Sequence, residues 1–173
     1  MSRRFRVMIA QSADGLIADA AGGVEWLDRY QEANDHGYGA FIREIDTIVM
    51  GRATYEVARH FGAWPYPDQQ CLVLSARPLD DPPPRVARTA LDVPALGAAL
   101  REGEGDVWVL GGGRTIRGFL DAGLIDLLEL FVVPEILGAG VPLFPPGHAA
   151  FSLSFKGALA FPTGIVRLTY QRN

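Results

Sequence analysis

Twice in this chain an apolar, strand-like run stops on glycine and passes at once into a helical pattern. The first instance is Ile48-Val49-Met50-Gly51-Arg52-Ala53-Thr54, and the second is Val109-Leu110-Gly111-Gly112-Gly113-Arg114-Thr115. Strands that lead straight into helices build sheets rich in parallel pairs, and such sheets gather ligands at the carboxyl ends of their strands. The chemistry of the two junctions agrees. Glycine lets a ligand approach the backbone, and the unpaired N–H groups of a helix start suit phosphate oxygens. Thr54 and Thr115 add hydroxyl donors, while Arg52 and Arg114 add charge. Gly51 alone reads first as a tight strand-to-helix turn. Three consecutive glycines at 111–113 incur an entropic cost that points to a close backbone approach.

The rest of the chain fills in an α/β order. Phe5 to Ala10 is an apolar strand candidate ended by Gln11-Ser12-Ala13-Asp14-Gly15, and Leu16-Ile17-Ala18 resumes after the turn. Tyr38, Phe41, Ile42 and Ile45 are spaced for one helical face, with Asn34 or Asp35 as the N-cap and Gly37 and Gly39 weakening the start. Thr47–Met50 and Cys71–Leu74 read as buried strands. Asp92 and Pro94 open a helix over Ala95–Leu100, and Gly123 stops the helix that carries Ile116, Phe119 and Leu120. Leu127–Val133 reads as a strand. Phe151–Ala160 and Ile165–Tyr170 form a hairpin about Pro162-Thr163-Gly164. The prolines between Pro78 and Pro84 make a surface connection, so residues 1–173 form one domain. The predicted fold is a three-layer α/β arrangement, a central mixed and mostly parallel sheet with helices on both faces.

Composition narrows the partners. Sixteen Lys+Arg against 20 Asp+Glu give a formal charge of −4, too little basic field for a nucleic-acid surface. Lys156 is the sole lysine, so any phosphate site relies on arginine forks. Ser75-Ala76-Arg77, just after a strand, suits a phosphate on a ribose. No apolar run approaches the roughly 20 residues that cross a bilayer, and no secretory pattern opens the chain; the expected compartment is the cytoplasm. The single cysteine, Cys71, reads as buried core. His36, His60 and His148 are too dispersed for a metal site. Neither a P-loop nor a full GxGxxG fingerprint occurs.

Ser12-Ala13-Asp14-Gly15-Leu16-Ile17-Ala18, Met50-Gly51-Arg52-Ala53-Thr54-Tyr55-Glu56, Gly111-Gly112-Gly113, Ala122-Gly123-Leu124-Ile125-Asp126 and the stretch from Pro134 to Phe144 occur in this order across almost the whole chain. Together they resemble the dihydrofolate reductase superfamily, and within it the reductase domain of the riboflavin-biosynthesis deaminase/reductase and its stand-alone relatives. The resemblance implies an NADPH-dependent reductase. Its substrate would be a small heterocycle or a ribosylamino-pyrimidine, with 5-amino-6-(5-phosphoribosylamino)uracil as the named example; a dihydrofolate or other pterin reductase and a non-catalytic nucleotide sensor are the alternatives. It implies that Ile9, Ala10 and Ile17 border the nicotinamide, and that Gly51, Arg52 and Thr54 hold phosphates. Ser75 and Arg77 would meet the adenosine ribose and its 2′-phosphate, and Gly111, Gly112, Gly113, Arg114 and Thr115 would complete the cradle. A homodimer is also expected.

Hydride transfer requires no metal, but reduction of an imine or carbonyl requires a proton. Asp35 is the first candidate donor, with a helix-capping role as the competing reading; Glu135 is a further acid, and Asp14 reads as a turn residue. Leu130-Phe131-Val132-Val133-Pro134 lacks the threonine with which true dihydrofolate reductases support pterin recognition. Deaminase chemistry is set aside, because H-x-E and C-x-x-C zinc patterns are absent. Trp26 is expected either to border a planar substrate or to pack in the core, Trp64 to line an outer wall or a packed loop, and Trp108 to be core.

Overall fold

A computed structural model describes residues 3–147, 150 and 152–172; His148 and Phe151 lie outside them. In chain order the elements are β1 (Phe5–Ser12), β2 (Leu16–Asp19), a 3-10 turn (Glu25–Leu27), α1 (Asp28–Ala33), α2 (Tyr38–Ile42), β3 (Ile45–Gly51), α3 (Arg52–Arg59), β4 (Gln70–Leu74), β5 (Val86–Thr89), α4 (Val93–Arg101), β6 (Asp106–Gly111), α5 (Gly113–Asp121), β7 (Leu127–Val133), β8 (Gly140–Pro142), β9 (Leu153–Ala160) and β10 (Val166–Arg172).

Eight strands form one sheet in the order β5-β4-β3-β6-β1-β7-β10-β9. From β5 to β7 all neighbours are parallel; β10 then runs against both β7 and β9. β1 lies inside the sheet because both of its faces carry apolar residues, as a doubly covered strand requires, and its buried Arg6 is paired with Glu129. Phe5 and Val7 join the core under α4 and α5, with Leu96, Ile116, Phe119 and Leu120. Met8 and Ala10 face the other layer, beside Tyr30, Phe131 and Trp26. Burial of each large core side chain contributes about 1.5–3 kcal/mol, so these two layers fix the sheet on which the site stands. Among the described residues no helix is long and apolar enough to cross a membrane.

The helix expected from Asn34 to Ile45 shrinks to α2. Gly37 occupies its N-cap with a left-handed φ of 85°, and Asp35 bonds to the Gly37 and Gly39 amides, holding the chain in a turn. Ile45 belongs instead to β3. Besides the 3-10 turn, three elements carried no sequence signal: α1, β5 and β8. α1 (DRYQEA) has Tyr30 as its buried apolar residue, and β5 (VART) buries Val86. β2 pairs with β8 in a separate ribbon that lies over the start of α5. A Cβ on Gly113 would stand 2.6 Å from the Pro142 and Leu143 carbonyl oxygens, so this packing requires glycine there.

Candidate active site

β3 passes through α3 outward to β4, whereas the adjacent β6 passes through α5 to β7 on the far side of β1. The two helices therefore leave neighbouring strands in opposite directions and open a crevice between their carboxyl ends. The glycine junctions of the sequence lie at this switch point, with Met50 opposite Gly111 in register.

Neither helix start is capped by a side chain: α3 begins on Gly51 and α5 on Gly112. α4, by contrast, has its Ala95 amide bonded to Asp92 at 2.8 Å. The crevice thus keeps free amide donors where a phosphate could accept them. A Cβ built on Gly51 would stand 2.8 Å from Thr115 Oγ1, and one on Gly112 would stand 3.5 Å from Thr54 Oγ1 and 3.9 Å from Ile17 Cδ1. Gly111, with φ at +142°, faces Thr54 and Ile9 Cδ1 in the same way. Ile9, Ile17, Gly51, Thr54, Gly111, Gly112 and Thr115 are thus brought together. Gly113 is set apart by its packing under the ribbon. Arg114 is exposed on α5 without a side-chain partner among the described residues.

Arg52 reaches sideways. Its guanidinium donates to Glu56 Oε1 (2.8 Å), Ser75 Oγ (3.1 Å) and the Pro78 carbonyl (2.8 Å), fixing the loop after β4 to the start of α3. Ser75 Oγ donates to the Arg77 carbonyl and accepts from the Arg77 amide, leaving the Arg77 side chain exposed. Arg88 adds a second guanidinium at this spot, donating to the Ser75 carbonyl at 3.1 Å. The sequence reading missed Arg88 because β5 was not recognised.

On the other face of β1, Ala10 packs with Trp26, Leu27, Tyr30 and Phe131. A cavity of about 390 Å³ opens here, lined by Glu25, Trp26, Asp28, Arg29 and Glu135. The Tyr30 hydroxyl donates to Glu135 Oε1 at 2.8 Å and accepts from Arg29 at 2.9 Å, and Arg29 also pairs with Glu135. The Glu135 carbonyl accepts from the Ala13 amide at 2.7 Å, which ties this wall to the turn after β1.

Asp35 stands in the turn before α2, where it accepts from the Gly37 and Gly39 amides. It is exposed, and the Gly37 and Gly39 amides hold its carboxyl below the ordinary range. These two bonds give Asp35 the turn-capping role that competed with that of proton donor. Asp14 accepts from Ser12 and from the Leu137 and Gly138 amides, and these bonds lower its pKa; it stitches two loops together. Trp108 is core, with its indole N–H on the Met8 carbonyl, and Trp64 is packed between Tyr55 and Tyr66. Burial pushes the Cys71 thiol up to about 11, leaving it inert. A second cleft, of about 610 Å³, lies at the amino ends of β3, β4 and β6, remote from the glycine crevice.

A mixed eight-stranded sheet between helical layers, with its crevice at the β3/β6 switch point, defines a three-layer α/β fold of the dihydrofolate reductase type. The chain belongs to the RibD C-terminal domain family, whose model matches residues 4–167. It is 33% identical to the uncharacterized protein YwjB of Bacillus subtilis (strain 168), over 99% of both chains. A Shewanella sp. PV-4 protein assigned to riboflavin biosynthesis superposes with a TM-score of 0.88 at 30% identity, covering 98% of this chain and 99% of that one. Dihydrofolate reductase from Enterococcus faecalis, complexed with NADP(H), shares the fold with a TM-score of 0.67 at 20% identity, covering 100% and 99% of the two chains. Family membership thus rests on the RibD C-terminal domain match, and the likeness to dihydrofolate reductase is one of fold.

Proposed function

We propose that this protein is an NADPH-dependent oxidoreductase that reduces a small heterocyclic, pyrimidine-like substrate in the cytoplasm. One observation carries the reading: two uncapped helix starts and their glycines meet at a single crevice, with Ile9 and Ile17 beside them. NADPH bound there would supply hydride from its nicotinamide. The amides at the starts of α3 and α5, with Thr54 and Thr115, would hold the pyrophosphate, and Gly51, Gly111 and Gly112 would leave it room. Ile9 and Ile17 would exclude water around the nicotinamide ring, and Ala10, whose side chain faces the other layer, would meet the ring through its backbone. Ser75 and Arg77, with Arg52 fixing their loop and Arg88 adjoining it, would take the ribose 2′-phosphate; Arg114 would add charge at the mouth.

With Asp35 ionised and engaged, the proton for the reduced product comes from water in this reading. The same observation supports a second one, a nucleotide-binding sensor without turnover. Cofactor fluorescence during NADPH and NADH titration tests both readings, since they are removed together if neither nucleotide binds at millimolar concentration. NADPH oxidation over a panel of pyrimidines, pterins, dihydrofolate and small carbonyl compounds then separates them. The partner is thus a small molecule, neither nucleic acid nor membrane. The exposed edge strand β9 makes a second copy of the chain its pairing partner.

A further inference from the structure

β1 and β6 begin side by side and then part. Their register holds at Phe5↔Val107 and Arg6↔Trp108 and, among the described residues, goes no further. Yet β1 stays paired with β7 as far as Ser12, and β6 stays beside β3 as far as Gly111. At the same level β6 carries an extra residue against β3. Val49 pairs with Val109 and Met50 with Gly111, so Leu110 is bulged. A bulge bends its strand and re-aims the residues beyond it. The parting shows in the burial: β1 is an inner strand, but Met8, Ile9, Ala10 and Gln11 are each partly exposed, as is Leu110 across the gap.

Trp108 sits at the fork. The Val107 amide donates to the Arg4 carbonyl, so Arg4, Arg6, Met8 and Ala10 turn their backbone groups toward β6. Phe5, one residue on, offers its carbonyl to the Asp126 amide on the β7 side. A ladder continued from this register would give the Met8 carbonyl to a β6 amide. It accepts instead from the Trp108 indole Nε1 at 3.1 Å. The indole is held firmly, with the rings of Phe41, Tyr66 and Tyr38 at 5.1, 5.7 and 6.1 Å from its own. A side chain thus satisfies the carbonyl that the next β6 amide would have met, and the ladder does not close past it. Ala10 is the next residue to face the gap, and it has no register partner on β6. Its amide and carbonyl open where Ile9 and Gly111 face one another.

We propose, resting on the reductase reading, that Trp108 is a positioning residue for the cofactor. By occupying the Met8 carbonyl it holds β1 and β6 apart, so that the Ala10 amide and carbonyl stay open to the carboxamide of the nicotinamide ring. A primary carboxamide carries one acceptor and an N–H donor side by side, which is what one strand residue with both backbone groups free can pair with. Trp108 itself touches neither cofactor nor substrate. It acts through the Met8 carbonyl, and two residues of strand carry the effect to Ala10. A phenyl ring at position 108 fills most of the space but offers no donor. The Met8 carbonyl then turns to β6 for an amide, and the gap narrows.

The test sets NADPH against adenosine 2′,5′-bisphosphate, which has the phosphate end of the cofactor and no carboxamide. Both are titrated calorimetrically into the full chain and into its Trp108→Phe variant. NADPH affinity falls about tenfold in the variant, while that of the bisphosphate moves by less than about twofold. A further probe, the NADPH analogue with acetyl in place of the carboxamide, lacks the N–H that the Ala10 carbonyl accepts. It binds the parent protein more weakly than NADPH does, and the variant erases that difference. Where Trp108→Phe does not fold, benzothienylalanine placed at position 108 alone exchanges the indole N–H for sulfur at nearly constant volume and serves in its stead. Unchanged NADPH affinity, a parallel loss for NADPH and the bisphosphate, or an analogue difference that survives in the variant overturns the proposal, because packing alone moves all these ligands together. A parent protein that fails to bind NADPH overturns the reductase reading itself, and the proposal with it.

Discussion

A methyl group on Gly51 would stand 2.8 Å from the hydroxyl oxygen of Thr115. The end of β3 and the first turn of α5 are therefore in near contact across the crevice, although 64 residues separate them in the chain. Alanine suits the Gly51 backbone, with φ at −78° and ψ at 164°, so Gly51→Ala costs little in the fold itself. It displaces the Thr115 hydroxyl and fills space that a pyrophosphate needs. NADPH affinity should fall about tenfold while the thermal midpoint moves by no more than about 4 °C. Fluorescence titration and a thermal melt decide this; unaltered affinity would place the cofactor elsewhere.

Arg77 and Arg52 make separable predictions. The Arg77 side chain is exposed and supports nothing in the described structure, so Arg77→Ala should leave NADH affinity unchanged and weaken NADPH roughly tenfold, the effect of one lost charge-assisted hydrogen bond. Arg52 holds Glu56, Ser75 and Pro78 with one fork. Arg52→Lys keeps the charge but cannot span those partners, so it should weaken both nucleotides by loosening the loop. Parallel titrations of the two variants with both cofactors check the contrast; a fall in NADH affinity with Arg77→Ala would remove that residue from 2′-phosphate recognition.

The parallel core was readable because its signals are local. β7 runs over Leu127–Val133 as its apolar run predicts, and Asp92 caps α4 as its position before Pro94 predicts. The glycine junctions were readable too, and the convergence of Gly51 with Gly111 follows once both strands enter one parallel sheet. What escaped depends on contacts distant in sequence. β5 is a strand because it pairs with β4, and Arg88 enters the cationic cluster only through that pairing. Tyr30 and Glu135 are 105 residues apart, and nothing local announces their hydrogen bond. The turn role of Asp35 is local: two glycine amides within four residues engage its carboxylate.

β9 is the outer edge of the sheet, eight residues long, with Phe155 60% and Leu159 46% exposed. A long edge with unpaired backbone groups and apolar side chains calls for a partner. In the homodimer we propose, a second β9 covers it. Sedimentation at tens of micromolar should show two chains per particle, and Leu159→Lys should yield monomers that retain the fold. A monomeric parent protein at that concentration would remove β9 as a pairing surface.

Asp106 predicts how the fold responds to acid. Burial alone would raise its pKa, but the Arg4 side chain at 3.0 and 2.6 Å, the Arg4 amide at 3.1 Å and the neighbouring Arg6 outweigh burial and hold it below the ordinary value. With the folded value depressed, the unfolded chain binds this proton first as pH falls. The stabilisation is therefore complete above the unfolded value near 3.9 and is lost as pH drops through the folded one. Asp106→Asn removes it, so the variant should be about 1–2 kcal/mol less stable at pH 7, and its stability should decline less steeply below about pH 4 than that of the parent protein. Urea midpoints at neutral pH and at two acidic values measure both effects. Parallel acid limbs for the two proteins would mean that Asp106 titrates alike in the folded and unfolded chains, and that the arginines at the amino end of β1 do not govern acid stability.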